Sequence, residues 1–178
     1  MSGGRGAKKL ALAGMLTAVA AALSVLERIL PLQAVVPIPG VKLGLANIVT
    51  MFALFFLDFG TTGVIVLARC LLGALLGGGP TGFLFSVTGS VLALLVMAAL
   101  KRGHGRAFSL WGISVAGAAA HNLGQVLVAA ALLGDPAILA YLPVLMGTGL
   151  ATGVLTAAAA APFFRKFRMT GIAGKAPE

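Results

Sequence analysis

Seven polar or charged residues lie in or beside strongly apolar stretches of this sequence, where their burial is costly. They are Glu27, Lys42, Asn47, Arg69, His121, Asn122 and Gln125. Their carboxylate, ammonium, guanidinium, imidazole and amide groups supply both hydrogen-bond donors and acceptors. Polar groups within an apolar bundle must find partners inside the protein or on a bound molecule. We therefore predict that the seven residues converge on one binding pocket.

Arg69 is the strongest of these signals, because it lies near the middle of an apolar stretch. A charged side chain at the centre of a bilayer costs about 2.5–3.5 kcal/mol on insertion scales. Few acidic partners exist, since the chain contains only Glu27, Asp58, Asp135 and Glu178. Two interpretations stay open: a structural pair between Glu27 and Arg69, or an unpaired Arg69 that binds an anionic molecule.

The second signal is a polar stripe at residues 121–125. His121 and Gln125 are four residues apart and Asn122 and Gln125 are three apart, so all three share one side of a helix. Hydrogen bonds between helices would satisfy them, but pocket lining is the interpretation that we prefer. We predict no metal site, because the other histidine, His104, lies in a separate basic loop.

The stretch from Pro37 to Thr50 combines prolines and glycines with Lys42 and Asn47 at the mouth of an apolar segment. Lys42 either extends to the external lipid headgroups or points over the pocket. We interpret this stretch as the lid, lip and first wall of a pocket that faces outwards.

The composition indicates an integral membrane protein. The 178 residues are 60% hydrophobic and 10% charged, and the mean hydropathy is +1.08. Residues 70–100, 107–134 and 136–164 carry no charged side chain, and each stretch is long enough for a helix of about 20 residues that crosses a membrane. We expect a lipid bilayer as the surroundings and no nucleic acid as a partner, although the net charge is +9.

The apolar segments predict an all-α protein with six transmembrane helices in a compact bundle. We place the spans at about 10–30, 43–59, 60–77, 81–100, 107–133 and 137–164. The predicted organisation is a basic N-terminus at 1–9, one membrane domain at 10–164 with an external lid loop at 31–42, and a basic tail at 165–178. Ten Lys and Arg residues fall on the side of the termini and at most two on the other. We therefore expect both termini in the cytoplasm of a protein of the plasma membrane.

Small residues follow one another at four-residue spacing in the first span, at Gly14, Ala18 and Ala22. Such ridges allow two helix backbones to approach closely in a membrane. The ridge serves either packing within the bundle or the docking of a partner membrane protein.

Sequence motifs of enzymes are missing from the chain. It has no glycine-rich phosphate loop, no assembled Ser-His-Asp set and no acidic pairs that could hold magnesium on a diphosphate. We therefore expect no catalytic activity and no cofactor. Because an ATP-binding motif is also missing, active transport would draw its energy from a partner or an ion gradient.

Three segments resemble the Gx transporter family, which is also named heptaprenyl diphosphate synthase component I. They are Pro-Gly-Val-Lys-Leu-Gly-Leu-Ala-Asn-Ile-Val-Thr at 39–50, Arg-Cys-Leu-Leu-Gly-Ala-Leu-Leu-Gly-Gly at 69–78 and Ala-His-Asn-Leu-Gly-Gln at 120–125. The family is similar to the S components of energy-coupling factor (ECF) transporters. That resemblance implies six membrane helices, a lid loop after the first helix, and docking of the first helix on a transmembrane coupling subunit driven by ATPases.

Three classes of function stay open at this point. We prefer a substrate-binding subunit of a vitamin-type importer that captures an anionic or amphipathic small molecule. The alternatives are a non-catalytic accessory protein linked to isoprenoid or quinone metabolism, and a stand-alone channel or carrier.

Overall fold

The computed structural model describes residues 3–29 and 42–169. All regular structure in these residues is helical, and the helices are α1 (Gly3–Ile29), α2 (Asn47–Phe56), α3 (Phe59–Gly73), α4 (Gly79–Lys101), α5 (Leu110–Leu133) and α6 (Leu142–Met169). A π-helical turn at Ala74–Gly78 joins α3 to α4, and a 3-10 turn at Pro136–Tyr141 precedes α6.

Four helical segments are long and apolar enough to cross a membrane. They are Gly6–Ile29, Phe59–Lys101, Leu110–Leu133 and Pro136–Pro162. The all-helical prediction is confirmed, but the structure has four such segments where the sequence predicted six. The reasons are that α2 has only 10 residues, and that α3 and α4 join into one segment of 43 residues.

The long segment bends sharply between α3 and α4. Leu76 has a ψ of 23° and Gly77 a φ of 105°, and neither value is helical. A straight helix of this length would measure about 65 Å, about twice the thickness of a hydrocarbon core. The break allows α4 to return along α3, against which it packs. It coincides with the gap between the predicted spans at 60–77 and 81–100.

Other predicted boundaries also change. The helix α1 begins at Gly3 rather than at residue 10, because the basic start continues the helix. The helix α2 begins at Asn47 rather than at residue 43, because Gly44 has a φ of 84° that no helix accommodates. The predicted lid loop, apart from Lys42, and the tail beyond residue 169 lie outside the described residues.

The helix α5 lies at the centre of the bundle, packed between α4 and α6. A Cβ atom added at Gly124 would lie 2.9 Å from the Cα of Gly89 on α4. One added at Gly153 on α6 would lie 2.7 Å from the Cα of Val115. These contacts bring the backbones of three helices together, as small residues do in membranes. They place the polar stripe of α5 in the interior of the protein.

The turn between α2 and α3 is anchored by Asp58. Its carboxylate caps α3 by accepting hydrogen bonds from the backbone N of Thr61 at 2.9 Å and from its Oγ1 at 2.8 Å. Asp58 also forms an ion pair with Lys9, which ties the start of α1 to this turn. The Lys9 ammonium, and then the bonds from Thr61, hold the pKa of Asp58 well below its usual range.

We expect Asp58→Ala to lower the unfolding temperature in detergent at neutral pH, because α3 loses its cap and α1 its ion pair. Since folding lowers the pKa of Asp58, its contribution to stability is complete above about pH 4, the ordinary value for Asp. That contribution is lost as the pH falls further through the lowered pKa. Asp135→Ala is the matched control. It also removes a carboxylate that caps a helical turn, since Asp135 accepts a hydrogen bond from the backbone N of Ala137 at a short 3-10 turn. A difference from wild type that grows on acidification would contradict the prediction.

Candidate functional site

The seven residues singled out in the sequence are all buried among the described helices, with exposed fractions from 0% for Gln125 to 7% for Lys42. We call them the polar cluster: Glu27, Lys42, Asn47, Arg69, His121, Asn122 and Gln125. Glu27 comes from α1, Lys42 from the segment before α2, and the others from α2, α3 and α5. The predicted burial of these polar groups is therefore observed, and hydrogen bonds link Arg69 to Asn47, and Gln125 to Lys42 and Asn122.

Arg69 is held by neutral groups rather than by a carboxylate. Its Nη2 donates to Ser90 Oγ at 2.7 Å and to Asn47 Oδ1 at 3.4 Å, and its Nη1 donates to Ser24 Oγ at 3.5 Å. Within the described residues, no carboxylate forms an ion pair with Arg69. Its Nε has no hydrogen-bond partner there. The guanidinium thus keeps an unused donor.

Glu27 on α1 supplies the carboxylate of the cluster. Its Oε1 accepts a hydrogen bond from the backbone N of Leu45. The carboxylate is also close enough to Arg69 and Lys42 to interact with both electrostatically. One buried carboxylate therefore faces two buried cations, and the cluster carries a net positive charge when all three are ionised.

Gln125 forms two hydrogen bonds with the backbone of the segment that precedes α2. Its Oε1 accepts from the backbone N of Lys42 at 2.6 Å, and its Nε2 donates to the backbone O of Lys42 at 2.8 Å. The Lys42 ammonium donates to Ser86 Oγ on α4 at 2.6 Å. Lys42 therefore points into the bundle and does not extend towards headgroups.

Asn122 links α5 to α6. Its Nδ2 donates to the backbone O of Leu145 on α6, and its Oδ1 accepts from Gln125 Nε2 at 3.3 Å. Gly149 leaves room for it, because a Cβ atom there would lie 2.7 Å from Asn122 Nδ2. Hydrogen bonding between helices accounts for this residue.

His121 is enclosed between two glycines. A Cβ atom added at Gly44 would lie 2.9 Å from the ring Cδ2, and one at Gly89 would lie 2.8 Å from Nδ1. In the described part of the chain, Asn47 Nδ2 has no hydrogen-bond partner, and the His121 ring has no side-chain partner and, for hydrogen bonding, only the backbone of Gly89 beside it. A buried polar group without a partner costs about 1–3 kcal/mol. These atoms are the ones that a bound molecule or water would satisfy.

Several hydroxyl groups that were not predicted from the sequence complete the cluster. Ser86 and Ser90 lie four residues apart on one side of α4, and Ser24 lies one turn before Glu27 on α1. Their spacing relative to the charged residues was a signal that could have identified them. Across the described residues, no group of three or more His, Cys, Asp or Glu side chains could hold a metal ion.

Comparison with known families agrees with the resemblance seen in the three sequence motifs. The family model described as heptaprenyl diphosphate synthase component I matches residues 16–163. The chain belongs to that family. Every member of the polar cluster lies within the matched region, so this family member carries its buried polar groups in the shared part of the chain. No curated protein and no solved structure matches the chain.

Proposed function

We propose that this member of the heptaprenyl diphosphate synthase component I family is a membrane-embedded, non-catalytic substrate-binding subunit. In this role it would act as the S components of ECF transporters do and capture an anionic or amphipathic small molecule from outside the cell. The observation that carries the proposal is the polar cluster, in which buried donor atoms without partners converge from several helices. Buried polar groups without partners lower the stability of a protein, so an apolar core alone does not account for their presence.

The charge of the cluster favours an anionic substrate group. Arg69 is surrounded by hydroxyl and amide groups, and its Nε is unused. Asn47 Nδ2 is a second unused donor. A carboxylate or phosphate would accept from both residues, and charge-assisted hydrogen bonds of this kind are the strong ones. The anion would also offset the positive charge that remains because the two cations, Arg69 and Lys42, face only one carboxylate, Glu27.

The positions of the basic residues support one orientation in the membrane. The Lys9–Asp58 ion pair and the bond from Lys101 Nζ to Leu54 O place the start of α1, the end of α2 and the end of α4 at one face of the bundle. We propose that this basic face is cytoplasmic and that both termini lie inside. Glu27 lies 18 residues beyond Lys9 on α1, or about 27 Å further along the helix. The polar cluster then lies in the external half of the bundle.

The ridge on α1 is available to a partner. Gly14, Ala18 and Ala22 are all exposed, and a Cβ atom added at Gly14 would meet no atom within 4 Å. Packing inside the bundle therefore does not use this ridge. By analogy with S components, we propose that it docks on a transmembrane coupling subunit whose ATPases supply the energy.

The family description favours a second candidate, a non-catalytic membrane accessory protein linked to isoprenoid or quinone metabolism. In that case the polar cluster holds the helices together and retains no small molecule. The protein would instead co-purify with a soluble prenyltransferase. Mass spectrometry of both small molecules and proteins in one purified preparation separates the two candidates.

Removal of the Arg69 side chain tests the binding role directly. Small molecules that co-purify with wild type are identified by mass spectrometry and compared with those of Arg69→Ala. We expect the recovery of the bound molecule to fall by tenfold or more, because a charge-assisted hydrogen bond contributes about 1.5–3 kcal/mol. Arg106→Ala is the matched control, since Arg106 is exposed in the loop before α5 and remote from the cluster.

Folding of the variants is checked by size-exclusion chromatography and thermal unfolding, and Arg69→Lys is included because it keeps the positive charge. Equal recovery of the same molecule from wild type and from a folded Arg69→Ala protein would refute the role of Arg69. Recovery of no molecule from wild type, together with a bound prenyltransferase, would support the accessory role.

A further inference from the structure

A cleft of about 610 Å³ opens at the basic face of the bundle. It lies between the end of α2, the start of α3 and the end of α4. Six of the residues that line it are apolar, among them Leu54, Leu57, Phe59 and Leu95, and the other three are charged. It shares no residue with the polar cluster, so it is a separate feature of the molecule.

Of the three charged residues that line this cleft, Arg102 is the one whose charge is not engaged by a partner in the described residues. Asp58 is already engaged by Lys9 and Thr61. Lys101 donates to the backbone O of Leu54. The Arg102 side chain is exposed and makes no hydrogen bond or ion pair within the described residues. Its guanidinium therefore keeps its five donors for a group from outside the protein.

The position of the cleft matches the boundary between hydrocarbon and headgroups. Phe59 and Lys101 are the two ends of the long apolar segment, and both line the cleft. Phe59 is 50% exposed and Leu95 51% exposed, so the apolar lining continues onto the outer surface of the helices. An acyl chain lying on that surface would bring its headgroup to Arg102.

We propose that this cleft binds an anionic phospholipid, with Arg102 on the headgroup phosphate and an acyl chain against Leu57, Phe59 and Leu95. The guanidinium fork matches phosphate oxygens in geometry and charge. The apolar wall adds the burial of methylene groups, which a soluble phosphate lacks. This inference does not depend on the proposed transport role, because it uses other residues at the opposite end of the bundle.

Native mass spectrometry of the full chain in detergent micelles tests the proposal, with added phosphatidylglycerol compared with phosphatidylcholine. We expect wild type to retain phosphatidylglycerol preferentially and Arg102→Gln to retain about tenfold less, as expected for the loss of a charge-assisted hydrogen bond. Arg106→Gln is the matched control, because Arg106 is exposed nearby but does not line the cleft. Ala99→Trp is expected to lower lipid retention without a change of charge, because it fills the cleft from an exposed position.

Two results would overturn the proposal. One is equal retention of phosphatidylglycerol by wild type, Arg102→Gln and Ala99→Trp. The other is displacement of the lipid by inorganic phosphate or glycerol 3-phosphate at equal concentration, which would show a site for soluble anions. Both variants replace exposed side chains, and their unfolding temperatures provide the check on folding.

Discussion

Gly44→Ala is expected to destabilise the protein by about 2–5 kcal/mol and to abolish the proposed substrate binding at the polar cluster. The first cause is the backbone, because a residue with a side chain at a φ of 84° pays about 1–2 kcal/mol. The second cause is steric. The added Cβ would lie 2.8 Å from Asn47 Nδ2 and 2.9 Å from His121 Cδ2, and such overpacking costs about 1–3 kcal/mol. Relief requires that His121 or the segment before α2 moves.

Gly134→Ala separates these two causes. Gly134 has a φ of 65° but no atom within 4 Å of an added Cβ, so this variant pays only the backbone cost of about 1–2 kcal/mol. Unfolding of both variants in detergent, and recovery of the bound small molecule, are measured side by side. Equal destabilisation by the two substitutions, with ligand binding retained in Gly44→Ala, would show that the glycine is not required to accommodate His121.

Gly124→Ala is the second substitution with a large expected effect. The added Cβ would lie 2.9 Å from Gly89 Cα and 3.0 Å from Thr88 O. Both are backbone atoms, which cannot rotate away, so α4 and α5 must separate. We expect a loss of about 1–3 kcal/mol of stability. Because Ser86 lies on α4 and Gln125 on α5, we also expect the proposed substrate binding to weaken, measured as lower recovery of a co-purifying molecule.

The matched control is Gly14→Ala on the exposed side of α1, where a new Cβ meets nothing within 4 Å. Alanine is favoured over glycine in a helix by up to about 1 kcal/mol, so this variant should be as stable as wild type or more stable. If both variants unfold at the wild-type temperature, the close approach of α4 and α5 does not limit the stability of the bundle.

The set of buried polar residues could be predicted from the sequence because a charge in an apolar run has few alternatives to the protein interior. Arg69 and Glu27 carry that signal by themselves. Serines carry much less, since a single hydroxyl in an apolar run is common and costs little. The partners of Arg69 on α1 and α4 were therefore missed, and the choice between a pair with Glu27 and an unpaired cation stayed open.

The number of membrane segments was the weakest part of the sequence prediction. Hydropathy does not show that a φ of 84° at Gly44 shortens α2, or that a π-helical turn joins α3 to α4. Both features depend on backbone geometry at glycines, which composition does not reveal.

The sequence was enough to predict helices long and apolar enough to cross a membrane, membership of the family, and which polar side chains are buried. These properties follow from local hydropathy and from motifs that are continuous in the chain. Only the tertiary structure decided which groups meet. Gln125 binds the backbone of Lys42 across 83 residues of sequence, and Arg69 donates to Ser90 on α4. Such contacts depend on how closely α4, α5 and α6 approach one another, and that distance is set by glycines whose packing partners lie on other helices.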